Sequence, residues 1–498
     1  MAIGPDPKAA FVAFHRFSFG ARGGAYAGDL ARAASDPRGF LKAELLQPAI
    51  AHLDSPTLPR TKIALTTFFA DQAQKKKERE ALAAAAKVGA ESAKPQSSAE
   101  PTMVAAVPAM TVPADAPAAN AKPKPPEMMP AQKLFRAEAM ARFQRVVYAE
   151  VGFVERLVHF WSNHFCVSAA KSGLVRAAAG SFEREAIRPH VLGRFGDMLK
   201  AVESHPAMLA YLDNAQSFGP HSPAGERGRR GLNENLAREI LELHTLGVHG
   251  GYSQADVTSL ARIITGWTFA GAAGRIGEPG TFVFFAQAHE PGNFTLLGKV
   301  YKAAGIEQGE AALADLARHP STARHIATKF ACHFVADEPP PSLVDRLAKV
   351  FLDTDGDLNS LANSLLDADE AWSAPLSKMR TPEQFLLAAI RAVDRMPEDP
   401  GAVLGPLYVM GMPLWQPPSP NGWPDTVAAW ASPEGMKLRL DVSAAIAGRV
   451  KELVNPSDVL ESIAGEVGSA ETRQAIARAE SRQQGLALLL MSPEFQWR

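Results

Sequence analysis

"NENLAREILELHTLG", residues 233–247, decides how the chain is read. Good helix formers run through it without a break, and Leu236, Ile240, Leu243 and Leu246 recur three and four residues apart, the period of an amphipathic helix. At about 100° per residue, Leu232, Leu236, Ile240 and Leu243 share one face. Glu239 falls beside Leu232, so a carboxylate points toward the wall of the core. Asn235 and Glu242 lie next to it, and Arg238 closes the polar side. A carboxylate taken out of water must be paired, coordinated or protonated. Glu239 is therefore either a metal ligand or general base, or the acid of a structural ion pair. His244 lies about 160° around the helix from Glu242, which rules out a single-helix clamp. Any chemistry at His244 needs partners from elsewhere.

Working outward, "GVHGG" caps this helix, and Ser253 opens the next, "SQADVTSLARIITGW", with Asp256 in capping-box position. From Leu134 onward the text is mostly helical, punctuated by Pro and Gly. The best strand candidate is "GTFVFFAQ", near 280–287, as a small hairpin or lid. The expected fold is mostly α: a multi-helix domain over 132–498 with a minor β-hairpin, and an N-terminal helical segment, 1–70, packed on it. Between them, 71–131 reads as a linker or insertion. It starts as a charged, Ala-rich helix candidate and continues from Ala93 as Pro/Ala low-complexity text, expected to be disordered.

The chain has 498 residues, and 52 Lys plus Arg nearly balance 53 Asp plus Glu. That balance gives no global field toward nucleic acid or a membrane surface. Cys166 and Cys332 stand far apart in apolar helical text, which is neither a disulfide framework nor a paired zinc motif. No stretch approaches the length of a spanning helix, and the N-terminus lacks the pattern of a leader. The cytoplasm is the default expectation.

In "EVGFVERLVHFWSNHFCVS", Glu155, His159 and Asn163 share a stripe, and His164 sits about 140° from His159. A regular helix cannot bring both histidines to one metal, although a break near Ser162 would change that. His164, enclosed by Phe160, Trp161 and Phe165, is either a satisfied core histidine or a ligand or acid–base group. "FFAQAHEPGNFTLLG" puts His289 and Glu290 on a loop, where they offer a ligand and a base. His325, Lys329 and His333 form one helical stripe, either a basic wall for an anion or, preferred, a solvated face. "GMPLWQPPSPNGWPD", 411–425, either lines a cleft with Trp415 and Trp423 or seals the core. Trp267 and Trp423 are candidates for stacking on a ligand, with Asn163, Asn235, Arg238 and Glu242 as its polar contacts. "DTDGDL", 353–358, fails the spacing of a calcium loop and reads as a turn. The "SFGARGG" turn lacks the Lys-Ser/Thr of a phosphate loop, and no serine-nucleophile, dinucleotide or kinase motif is present.

"HRFSFGARGG", "ERLVHFWSNHFCVS", the long central motif 233–267, "HEPGNFTLLGK", "RHPSTARHIATKF" and "QPPSPNGWPD" occur in this order. Together they resemble the bacterial family catalogued as domain of unknown function 1800, over nearly the whole chain except 71–131. The resemblance carries no established reaction. Relatives often show "WHNHF" where this chain has Ser162, so a metal ligand at that histidine would be missing here. They also tend to show "HD" where His289-Glu290 stands. Members are often encoded beside exported proteins that resemble phosphatases and sulfatases, which implies such a partner and periplasmic location by co-export. Two classes survive. The preferred one is an accessory or binding protein for that partner. The other is a hydrolase or oxidase, around a divalent metal on His164, Glu239 and His289, with His244 and Glu290 completing the catalytic set.

Overall fold

The structure is a computed structural model that describes residues 5–47, 49–92, 128–228 and 231–498. The disorder expected of the Pro/Ala-rich stretch falls on 93–127, outside the described residues. Among the described residues there are 25 α-helices and two small two-stranded antiparallel sheets. The mostly-α expectation therefore holds. The "GTFVFFAQ" strand is Phe282–Phe284, paired with Trp267–Phe269, and a second hairpin joins Phe294–Leu296 to Lys299–Tyr301. That is one hairpin more than the sequence suggested.

Helix starts follow local chemistry. Thr381 and Ser253 close capping boxes with Gln384 and Asp256, and Pro follows the cap at Asp6, Thr381 and Ser432. "DTDGDL" is a turn between Pro341–Asp353 and Leu358–Asp367, with Gly356 at φ +71°. One apolar core runs from Phe11, Phe17, Leu41 and Leu65 to Phe495, so the first 70 residues share it with the rest of the chain. The helix Thr61–Ser92 crosses the boundary drawn at residue 71 without interruption. It packs on Gly173–Phe182, where a Cβ on Gly173 would lie 2.8 Å from the Phe68 ring.

The segment that opened the reading departs from regular winding. Asn235–Glu239 is α-helical, but Ile240–His244 is a π turn. The Thr245 hydroxyl donates to the Ile240 carbonyl at 2.6 Å, five residues back, and braces the wider turn. Leu241, which regular winding puts about 140° from Leu236, is fully buried, as is His244, while Leu243 is only part-buried. The extra backbone unit per turn rotates everything after Glu239, so the helical-wheel positions drawn for Glu242, Leu243 and His244 are corrected. A second π turn, Glu183–Ile187, interrupts another helix end. Such bulges cost helical hydrogen-bond geometry and are frequent at functional sites.

Candidate functional site

The Phe153–His164 helix, the Pro320–Phe334 helix, the π turn and the 411–425 loop converge on one region. The loop segment Trp423–Asp425 divides it into two cavities. The larger holds about 530 Å³ and is lined by Phe160, His164, Glu242, His325, Lys329 and Trp423 among others. The smaller holds about 70 Å³ beside Arg142, His159, Glu383 and Trp415.

Buried polar groups fix the loop between them. Asn163 spends its whole side-chain amide on one residue: Nδ2 donates to Trp423 O at 2.9 Å and Oδ1 accepts from Trp423 N at 2.8 Å. Gly422 has φ +81°, and a Cβ there would stand 2.4 Å from Asn163 O. Asp425 accepts from His333 Nδ1 at 2.5 Å and from Arg498 at 3.1 Å, with Lys378 Nζ 3.3 Å away. Burial opposes its charge, yet His333, Arg498 and Lys378 hold the carboxyl far below the usual carboxylate range. Arg156 donates to His333 Nε2 at 3.1 Å, which leaves Nδ1–H for Asp425 and no nitrogen free for ligand chemistry. Burial lowers the His333 pKa to about 3.

Beneath the smaller cavity runs an ionic network. Arg142 pairs with Glu183 and Glu383, and Arg188 with Glu155 and Glu183, all deeply buried. Every member has a partner, so this network reads as architecture rather than as a reactive set.

The larger cavity is different. Lys329 is half-buried on its wall and makes no hydrogen bond or ion pair with any described residue. Burial lowers its pKa to about 8, so at neutral pH it remains largely an ammonium. His164 Nε2 must donate to the His244 carbonyl, 3.2 Å away, which leaves Nδ1 a bare acceptor without a partner. Burial and Lys329 push its pKa well down. His325 likewise donates Nε2–H to Leu243 O at 3.1 Å, and burial lowers its pKa to about 4. Among the described residues, Glu242 accepts only from the Tyr252 hydroxyl, at 3.3 Å, and forms no ion pair.

The residues singled out from the sequence divide between this cavity and other places. Asn163, His164, Glu242 and Trp423 line it. His244 stands behind His164, ring centroids 6.3 Å apart, with Nδ1 2.7 Å from Glu203 Oε1 and Nε2 unpartnered. Glu239 is half-buried, with no hydrogen bond or ion pair to any described residue, and burial raises its pKa. Arg238 pairs with Glu234 at 3.3 Å, and Asn235 is exposed. Trp267 is a core residue with Gly309 pressed against its ring. His289 lies 3.0 Å from Thr265 O, and Glu290 accepts from His221 N at 2.9 Å, pinning a loop. No hydrogen bond, ion pair or ring contact among the described residues joins His289 or Glu290 to His164. Nor, among those residues, are three or more His, Cys, Asp or Glu grouped so as to hold a metal ion. His164, Glu239 and His289 therefore do not form a ligand set.

Lys329 and His325 are the residues that sequence reasoning set aside. Their stripe was visible, but a solvated face was preferred. They line a cavity because the 411–425 loop covers that face, a pairing some 90 residues away that local pattern does not carry.

The model of one protein family, described as "Protein of unknown function (DUF1800)", matches residues 12–497. No curated protein and no solved structure matches the chain.

Proposed function

The chain belongs to this family of unknown function, and we propose that it is a binding protein whose larger cavity holds a small ligand by an anionic group. The observation that carries this reading is Lys329, a cation on the wall of a 530 Å³ cavity that makes no hydrogen bond or ion pair with any described residue. A charge half-removed from water, with the nearby Asp425 carboxylate already engaged by His333, Arg498 and Lys378, costs free energy, which an anionic ligand would return on binding. The volume lies within the roughly 300–1,000 Å³ typical of small-molecule sites, and Phe160 and Trp423 supply apolar wall. On this reading, the exported phosphatase- or sulfatase-like partner implied by the resemblance delivers or receives the ligand, and the chain travels with it. No described helix is long and apolar enough to cross a membrane. The test is a thermal-shift screen with acetate, phosphate and sulfate on wild type and Lys329→Met. The reading expects saturable stabilisation by at least one anion, lost in Lys329→Met. Equal response of the two proteins contradicts it.

A second reading, a metal-dependent hydrolase or oxidase, has one observation in its favour. His164 Nδ1 and His244 Nε2 are both bare, and a carbonyl and Glu203 fix their tautomers from behind, as with ligating imidazoles. That supplies two donors, and the third would have to come from a ligand. Elemental analysis of protein purified without chelator, beside a His164→Ala, Glu239→Ala double variant, decides it. Near-stoichiometric metal lost in a folded variant supports this reading, and none in wild type ends it.

A further inference from the structure

Charge bookkeeping around the larger cavity goes one step beyond an anion site and rests on that reading. Its walls carry Asp425, Glu242 and Lys329 as charged groups, with His164, His325 and His333 kept neutral by burial. Asp425 is consumed by His333, Arg498 and Lys378. Glu242 and Lys329 are left over. Neither forms an ion pair with any described residue, the other included, so the two do not come within 4.0 Å of each other. A ligand bearing only an anion leaves the Glu242 carboxylate unpaired and adds a like charge to the space. A ligand bearing only a cation does the same to Lys329. A molecule with one charge of each sign answers both walls at once.

We propose that the ligand is zwitterionic, a free α-amino acid or short peptide, with its carboxylate on Lys329 and its ammonium on Glu242. Phe160 and Trp423 face its side chain, and the cavity leaves room for a large one. Binding is non-covalent, and no atom changes bonding partners.

The test is calorimetric titration of a panel of L-amino acids, each beside its N-acetyl derivative, which keeps the carboxylate and removes the ammonium. Expected is at least one free amino acid that binds wild type about tenfold tighter than its N-acetyl form. Glu242→Gln should erase that preference with little change in N-acetyl affinity, and Lys329→Met should weaken both forms. The wild-type comparison needs no variant, so a misfolded mutant does not cloud it. Equal affinity of free and acetylated forms overturns the zwitterion and leaves the anion site standing. Failure of every amino acid while acetate or phosphate still stabilises the protein also overturns the zwitterion alone. If no anion of any kind binds, the underlying reading falls with it.

Discussion

At the scale of single residues, Glu239 is a half-buried carboxylate on the helix that leads into the π turn. Glu239 lies at the margin of the apolar face, as the helical wheel implied, and forms no ion pair with any described residue, Arg238 acting on it only from a distance. Burial raises its pKa, so its charged form is disfavoured in the fold. Glu239→Gln, which keeps the shape without the charge, should therefore raise stability at pH 7, read as a higher urea midpoint. A marked loss would mean that the carboxylate has a partner. Asn163, a candidate ligand contact that lines the cavity, grips the peptide of Trp423. Asn163→Ala strands a backbone N–H and a carbonyl, and about 2 kcal/mol of destabilisation is expected. It should also weaken ligand binding, because Trp423 forms part of the cavity wall.

At the scale of elements, propensity, caps and period revealed the helices, the capping box at Ser253 and the strand at Phe282. They could not reveal the π turn at Ile240–His244. Nothing in "ILELH" departs from good helical text; the bulge is set by tertiary burial of Leu241 and His244 and by the Thr245 hydroxyl. Thr245→Val removes that brace, leaves the buried Ile240 carbonyl short of a donor, and should cost about 1–2 kcal/mol. Glu242 sits on this turn, so the variant should also lose preference for a free over an acetylated amino acid. Unchanged selectivity would separate the turn from the site. The 411–425 loop makes the same point. Its prolines and glycines announced a loop, but its place over the Lys329 face depends on Asn163 and Asp425, contacts far apart in sequence. Gly422→Ala meets both a left-handed backbone and the Asn163 carbonyl, and a loss of at least about 2 kcal/mol is expected by chemical denaturation.

At the scale of the whole molecule, one core joins the N-terminal helices to the last ones, so unfolding should appear as a single calorimetric transition. Two well-separated transitions would contradict a core shared by the N-terminal helices and the rest of the chain. Acid should weaken the fold early. His15 and His333 are buried and neutral, each with its pKa lowered from 6.5 to about 3. Between those values the unfolded chain binds protons that the folded chain refuses, so stability is full above about pH 6.5 and falls as the pH drops toward 3. The two imidazoles together account for a loss on the order of a few kcal/mol by pH 4, seen as a falling melting temperature. Binding should fail in the opposite direction. Lys329 titrates near pH 8, and only its ammonium attracts an anion. The most direct test of the central claim is therefore titration calorimetry of wild type and Lys329→Met with the best anion from the screen, at pH 7 and pH 9. The account predicts one site per chain in wild type, weakened several-fold at pH 9 and absent in a folded Lys329→Met. Binding that survives the loss of Lys329 with its affinity intact would contradict it.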